Sequence, residues 1–153
     1  MKKLIQVLSV SIVAIIMSGC ASVKYGDKDT EATLKKLQAV PDKVSLYVCR
    51  DKAFFGGNLN AVIFVDNSPI GTLKTNTFAH VLVSPGKHEV FLKTDGLSVK
   101  SGILNVDAKS GEIAFVWAGT VGGWFGTLTV DNFTSTGEAE QCVKEADYAV
   151  RAE

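Results

Sequence analysis

Few side chains in this chain have the type and spacing to do chemistry. Cysteines stand at 20, 49 and 142, and the only histidines are His80 and His88. A cysteine sulfur acts as a nucleophile, a metal ligand or half of a disulfide. The histidines are placed by the turn Ser84-Pro85-Gly86-Lys87, whose central Pro-Gly predicts a tight hairpin. That hairpin pairs Val83 with His88, Val81 with Val90 and Ala79 with Leu92, which puts those six residues on one core-facing side. Phe78, His80, Leu82, Glu89, Phe91 and Lys93 fall on the other side, mixed in character. His80 and His88 therefore lie on opposite faces and cannot share a metal; His88 reads as a packed turn histidine. No serine or cysteine occupies a nucleophile elbow. The acids show no H-E-x-x-H, EF-hand or phosphate-loop pattern. Gly56-Gly57 and Gly122-Gly123 lack the lysine and the strand-to-helix setting that cradle phosphate. The expectation is a non-enzyme with no catalytic residues and no metal.

The first cysteine sits in a different context. Met1-Lys2-Lys3 is basic, residues 4–17 carry no charge, and Ser18-Gly19 precede Cys20. A basic start, a short apolar run and small residues make a secretory leader over 1–19. The run is shorter than the roughly 20 apolar residues of a membrane span. The segment resembles the lipobox of bacterial lipoproteins, with Met17 where leucine is usual. That resemblance implies a diacylglyceryl group on the Cys20 sulfur, cleavage before Cys20 and an acyl chain on the freed amine. One chain holds a protein only marginally, whereas two or three anchor it durably. Ala21, which is not Asp, implies sorting to the outer membrane, facing the periplasm. The implied lipid (diacylglyceryl and palmitate-type acyl groups) is the one covalent addition; no other cofactor is expected. In an exported domain the remaining even pair, Cys49 and Cys142, reads as a candidate disulfide. Two unpaired buried thiols remain the alternative. The bond would close a loop of about 90 residues, worth roughly 4–5 kcal/mol in the chain-entropy model.

Beyond the leader, 134 of the 153 residues remain, enough for one domain with its own core. Of 16 basic side chains, two lie in the leader; 14 face 16 acids, a formal charge of −2. Nothing in this balance calls for nucleic acid. Residues 20–43 read as a lipid-anchored tether with a short helix or a mobile spacer. Asp27, Asp29 and Glu31 come early, Lys35 and Lys36 late, and Leu34, Leu37 and Val40 lie three apart before Pro41. From Val44 the period becomes two, and residues 44–153 read as one β-domain. Strands are expected over 44–50, 61–66, 69–75, 78–83, 88–94, 97–106, 113–121 and 125–130, with turns at Asp66-Asn67-Ser68 and Asp95-Gly96. Ser135-Thr-Gly-Glu138 reads as a capping box opening a C-terminal helix. Ala139, Cys142, Val143, Ala146 and Val150 fall on one of its faces, so Cys142 points at the sheet. Cys49 shares a side with Tyr47, and the disulfide would pin the helix there. The fold class is mainly β: a small antiparallel Ig-like sandwich with a C-terminal helix and a short N-terminal tether.

Leu46-Tyr-Val-Cys-Arg50, Ala61-Val-Ile-Phe-Val-Asp-Asn67, Ile70-Gly-Thr-Leu73 and Ser84-Pro-Gly-Lys-His88 together resemble PEGA-type domains. The nearest resemblance is to uncharacterised bacterial lipoproteins with a PEGA-like domain, over roughly residues 44–117. It implies a small envelope β-sandwich and no known activity.

Ile113 to Val130 is uncharged and carries Gly119, Gly122, Gly123 and Gly126 at G-x-x-x-G spacings. It reads either as a membrane-inserting or self-associating helix or, preferably, as two strands joined by a glycine-rich turn, since Thr, Val and Gly-Gly suit a hairpin. Trp117 would then lie in the core or near the surface. Phe54, Phe55, Trp124 and Phe125 are candidates for an exposed interaction surface. The function expected is a non-catalytic envelope interaction or structural module with membrane lipid and an envelope protein as partners. Its alternatives are a glycan- or lipid-binding lipoprotein and a membrane-active protein using residues 113–130.

Overall fold

The computed structural model describes residues 23–52, 59–94, 100–122 and 126–150. A short strand β1 (Lys24–Tyr25) and helix α1 (Lys28–Leu34) precede eight strands: β2 (Val44–Arg50), β3 (Ala61–Val65), β4 (Ser68–Leu73), β5 (Thr77–Val83), β6 (Gly86–Thr94), β7 (Leu104–Ala108), β8 (Ile113–Val121) and β9 (Thr127–Asp131). Helix α2 (Thr136–Glu145) and strand β10 (Asp147–Val150) follow. The strands form a six-stranded sheet, β1-β10-β5-β2-β8-β9, and a four-stranded sheet, β4-β3-β6-β7. The protein is mainly β, two stacked sheets with a C-terminal helix. Both helices cover the outer side of the six-stranded sheet.

Strand alternation explains where the core lies. On β2, Val44, Leu46 and Val48 point between the sheets, where Ile63, Val65, Leu73, Val90, Leu92 and Val116 meet them. Ser45, Tyr47 and Cys49 point the other way, under the helices. Every residue of β2 is buried for this reason. Arg50 ends the inward row and donates to the Leu59 carbonyl. Asp66 and Asn67, at φ 48° and 64°, make the two-residue turn from β3 to β4, the left-handed pair a tight hairpin requires.

The Ser84–Lys87 turn is not a hairpin. β5 pairs with β2, Val83 opposite Val44, while β6 pairs with β3 and β7. Ser84 and Pro85 carry the chain from one sheet to the other. The inward set Ala79, Val81, Val83, Val90 and Leu92 still meets one core. Side-chain alternation is the same whether two strands lie beside each other or face each other across a sandwich, so it cannot separate the two arrangements. Two pairings are parallel, β2 with β8 and β10 with β5, so the six-stranded sheet is mixed.

From Val23 on, the N-terminal stretch packs on the sandwich and is not a free spacer. α1 is capped by Asp27, whose carboxylate accepts the Thr30 N–H at 2.8 Å. It ends early because Leu37 turns to φ 52°, so the Leu34–Leu37–Val40 spacing is not carried by one helix. At the other end, α2 stops at Glu145. Val150, expected on its face, belongs to β10. β7 begins at Leu104, later than expected, after a single Lys93–Lys100 bridge; Asp95 and Gly96 lie outside the described residues. β8 and β9 form an antiparallel hairpin, Trp117 opposite Asp131 and Val121 opposite Thr127, which overturns the helix reading of 113–130. Among the described residues no helix is long and apolar enough to cross a membrane.

Candidate functional site

The helix-covered face is built around Tyr47 and Cys49. Ser135 caps α2 by accepting the Glu138 N–H at 3.2 Å, and the helix then turns Ala139, Cys142, Val143 and Ala146 onto the sheet. Cys142 bonds Cys49 with a Cα–Cα distance of 6.3 Å, as the shared side of Cys49 and Tyr47 requires. The Tyr47 ring lies 6.1 Å from Phe78 and 5.6 Å from Phe115. Its hydroxyl donates to the Leu34 carbonyl at 3.0 Å, which ties α1 to the same surface. Burial pushes the Tyr47 phenol up to about 12. His80 packs 4.6 Å from the Tyr47 ring, with its Nε2 buried and lacking a hydrogen bond. Burial pulls its pKa down to about 4, so it is neutral at ordinary pH.

The N-terminal corner is held by a second set of contacts. β1 pairs antiparallel with β10, Lys24 opposite Val150 and Tyr25 opposite Ala149. The Gly26 N–H donates to the Tyr148 carbonyl at 2.9 Å. Gly26 lies flat on the Tyr148 ring: a Cβ there would fall 2.1 Å from a ring carbon. Glu31, only 7% exposed, accepts the Tyr148 N–H at 3.0 Å and ion-pairs with Lys35 at 2.9 Å and Lys28 at 3.1 Å. Burial opposes its ionisation, but the Tyr148 N–H and the two ammoniums outweigh it and hold the carboxyl at about 2. Val23 packs against the sandwich core itself.

His88 serves structure. Its Nδ1 meets Asp66 Oδ2 at 2.6 Å and its Nε2 meets the Ser84 carbonyl at 2.7 Å. A carboxylate and a carbonyl both accept, so the protonated ring, donating from both nitrogens, is the form this setting favours. Burial works against that charge, and Asp66 and the Ser84 carbonyl overcome it to raise the pKa. The clasp ties the β3–β4 turn to the crossover between sheets. His80 and His88 stand in different sheets, and among the described residues no three His, Cys, Asp or Glu side chains group to hold a metal.

Two open grooves flank the start of α2. One, about 410 Å³, runs along Asn105–Ala108 of β7, Glu112–Phe115 and the 132–136 loop. The other, about 280 Å³, is lined by Asp51, Trp117, Asp131, Asn132, Phe133, Thr134 and Glu138. Their described linings hold carboxylates and hydroxyls but no His, Cys, Lys or Arg. They offer negative charge and hydrogen bonds. Trp117 is half-buried on the helix side and lies flat over Gly119, where a Cβ would come within 2.2 Å of the indole. On the outer face of the other sheet Phe64 and Phe91 stack at 5.0 Å, with Lys93 and Lys100 over the rings. Cys20, Phe54, Phe55, Trp124 and Phe125 lie outside the described residues.

Sequence reasoning located the disulfide and missed the Glu31–Tyr148 clasp. The Asp27 cap and acidic first turn signal a helix start there, but the partner strand, β10, is four residues long and looks like the end of a helix.

The chain is similar to an uncharacterised protein of Haemophilus influenzae (strain Rd), at 26% identity over 117 residues that cover 75% of this chain and 67% of that protein. No family model matches the chain, and no solved structure matches it.

Proposed function

We propose that this protein is a lipid-anchored lipoprotein of the bacterial envelope, held through Cys20 at the outer membrane, whose sandwich acts as a non-catalytic interaction module. The carrying observation is the order of the first twenty residues: two lysines, fourteen uncharged residues, Ser18-Gly19 and Cys20. The Cys49–Cys142 bond supports it, since such bonds persist in oxidising compartments. That bond also leaves Cys20 as the one remaining thiol. The test is intact mass and palmitate labelling of the protein from cells against Cys20→Ser. The wild type should be shortened by residues 1–19 and carry lipid, and the variant should remain an unlipidated precursor. Normal processing of the variant would end this reading. A second reading, a lipoprotein that binds a small polar envelope ligand such as a glycan fragment, draws on the 410 Å³ groove beside α2.

A further inference from the structure

We infer that the β1 corner is a membrane-contact surface, with Tyr25 and Lys74 seated among phospholipid headgroups. The inference rests on the Cys20 anchor proposed above and adds to it an orientation.

Four residue steps separate Cys20 from Lys24. Fully extended, they span at most about 14 Å. A bilayer's headgroup layer is roughly 5–8 Å deep on each side. A lipid-bearing sulfur therefore keeps β1 within about 6–9 Å of the outer edge of that layer even at full extension, and β1 does not hang from the domain by a slack linker. It is the edge strand of the six-stranded sheet, locked by β10, by the Gly26–Tyr148 bond and by the Glu31 clasp.

Tyr25 is 44% exposed, among the more exposed large apolar side chains of the described residues. Lys74, at the end of β4, is exposed and holds its ammonium 4.9 Å from the Tyr25 ring centroid. Lys24 is exposed too, its side chain on the opposite face of β1 from Tyr25. A tyrosine with a lysine over its ring suits the boundary where ring meets glycerol and ammonium meets phosphate.

The consequence is a fixed direction. β8, whose first residues line the larger groove, lies four strands across the sheet from β1, about 19 Å away. Docking by β1 turns that groove and the start of α2 away from the bilayer.

The test uses mature protein, its Cys20 lipid checked by intact mass, in nanodiscs of phosphatidylethanolamine and phosphatidylglycerol. A fraction of the headgroups carries a nitroxide. NMR signals of Lys24, Tyr25 and Lys74 should lose intensity by about five-fold or more, while Lys109 and Gly137 keep theirs, as expected of headgroup contact. Tyr25→Ser/Lys74→Glu should even out the broadening across the domain. Lipidated protein with uniform broadening, or with its strongest loss away from β1, overturns this inference alone. Protein without lipid overturns the anchor reading and takes the inference with it.

Discussion

The two histidines respond to pH in opposite directions, although only eight residues separate them. His80 is buried beside Tyr47 and takes a proton only near pH 4, whereas the unfolded chain takes it near 6.5. Between those values the unfolded state binds more protons, so stability falls as the pH drops from 6.5 towards 4. His88 is the reverse case: its raised pKa adds stability that is fully present below 6.5 and is lost as the pH rises through its folded value. Urea midpoints across pH 4–8 should therefore separate them. His80→Gln should flatten the fall between 6.5 and 4. His88→Gln should cost most at the acid end, with the gap to wild type narrowing at high pH. If His80→Gln keeps the wild-type slope, the acid sensitivity belongs elsewhere. Glu31 acts in a lower window: its contribution is complete above 4.5 and disappears as the pH falls towards 2.

Among the elements, α2 depends most on one covalent bond. It has ten residues and two fully buried apolar side chains, Ala139 and Val143, a thin stripe for a helix that covers three strands. A helix this short is marginal alone. The bond across 93 residues of chain should contribute about 4–5 kcal/mol in the chain-entropy model. Cys142→Ser and the reduced wild type should both lose about that much by urea unfolding, with faster hydrogen exchange over α2. A loss below about 1 kcal/mol would mean that packing alone holds the helix. This bond was legible in the sequence because two independent periods converged on it: the strand period put Cys49 with Tyr47, and the helix period put Cys142 with Ala139 and Val143. The Ser84–Lys87 connection was not legible, because Pro-Gly chemistry marks a change of direction without saying which sheet the chain enters next. β10 was hidden for a related reason. Ala146 and Val150 continue a helical spacing, yet Asp147–Val150 gains more as a parallel neighbour of β5 and a cover for β1.

At the scale of the molecule the core was largely readable, since alternating apolar residues from β2 to β8 define the sandwich whichever way the strands connect. The standing of the N-terminal segment was not readable. Residues 20–43 have the charge and composition of a spacer, and what binds the part from Val23 on to the domain is long-range: Tyr47 reaches the Leu34 carbonyl, Glu31 reaches the Tyr148 N–H, and Val23 packs against the core. None of these contacts leaves a local pattern. The two views differ in a measurable way. If the segment is structural, a chain beginning at Pro41 loses β1 and α1, uncovers Tyr47 and removes the partners of Tyr148. It should be less stable than a chain beginning at Ala21 by about 3–5 kcal/mol, from two or three apolar side chains and two buried hydrogen bonds. Exchange should rise in β10 first, then in β5, which it pairs with. Equal urea midpoints for the two chains would make residues 21–40 a spacer after all. The domain could then stand off the membrane by the full length of that segment, and β1 would have no part in setting its orientation.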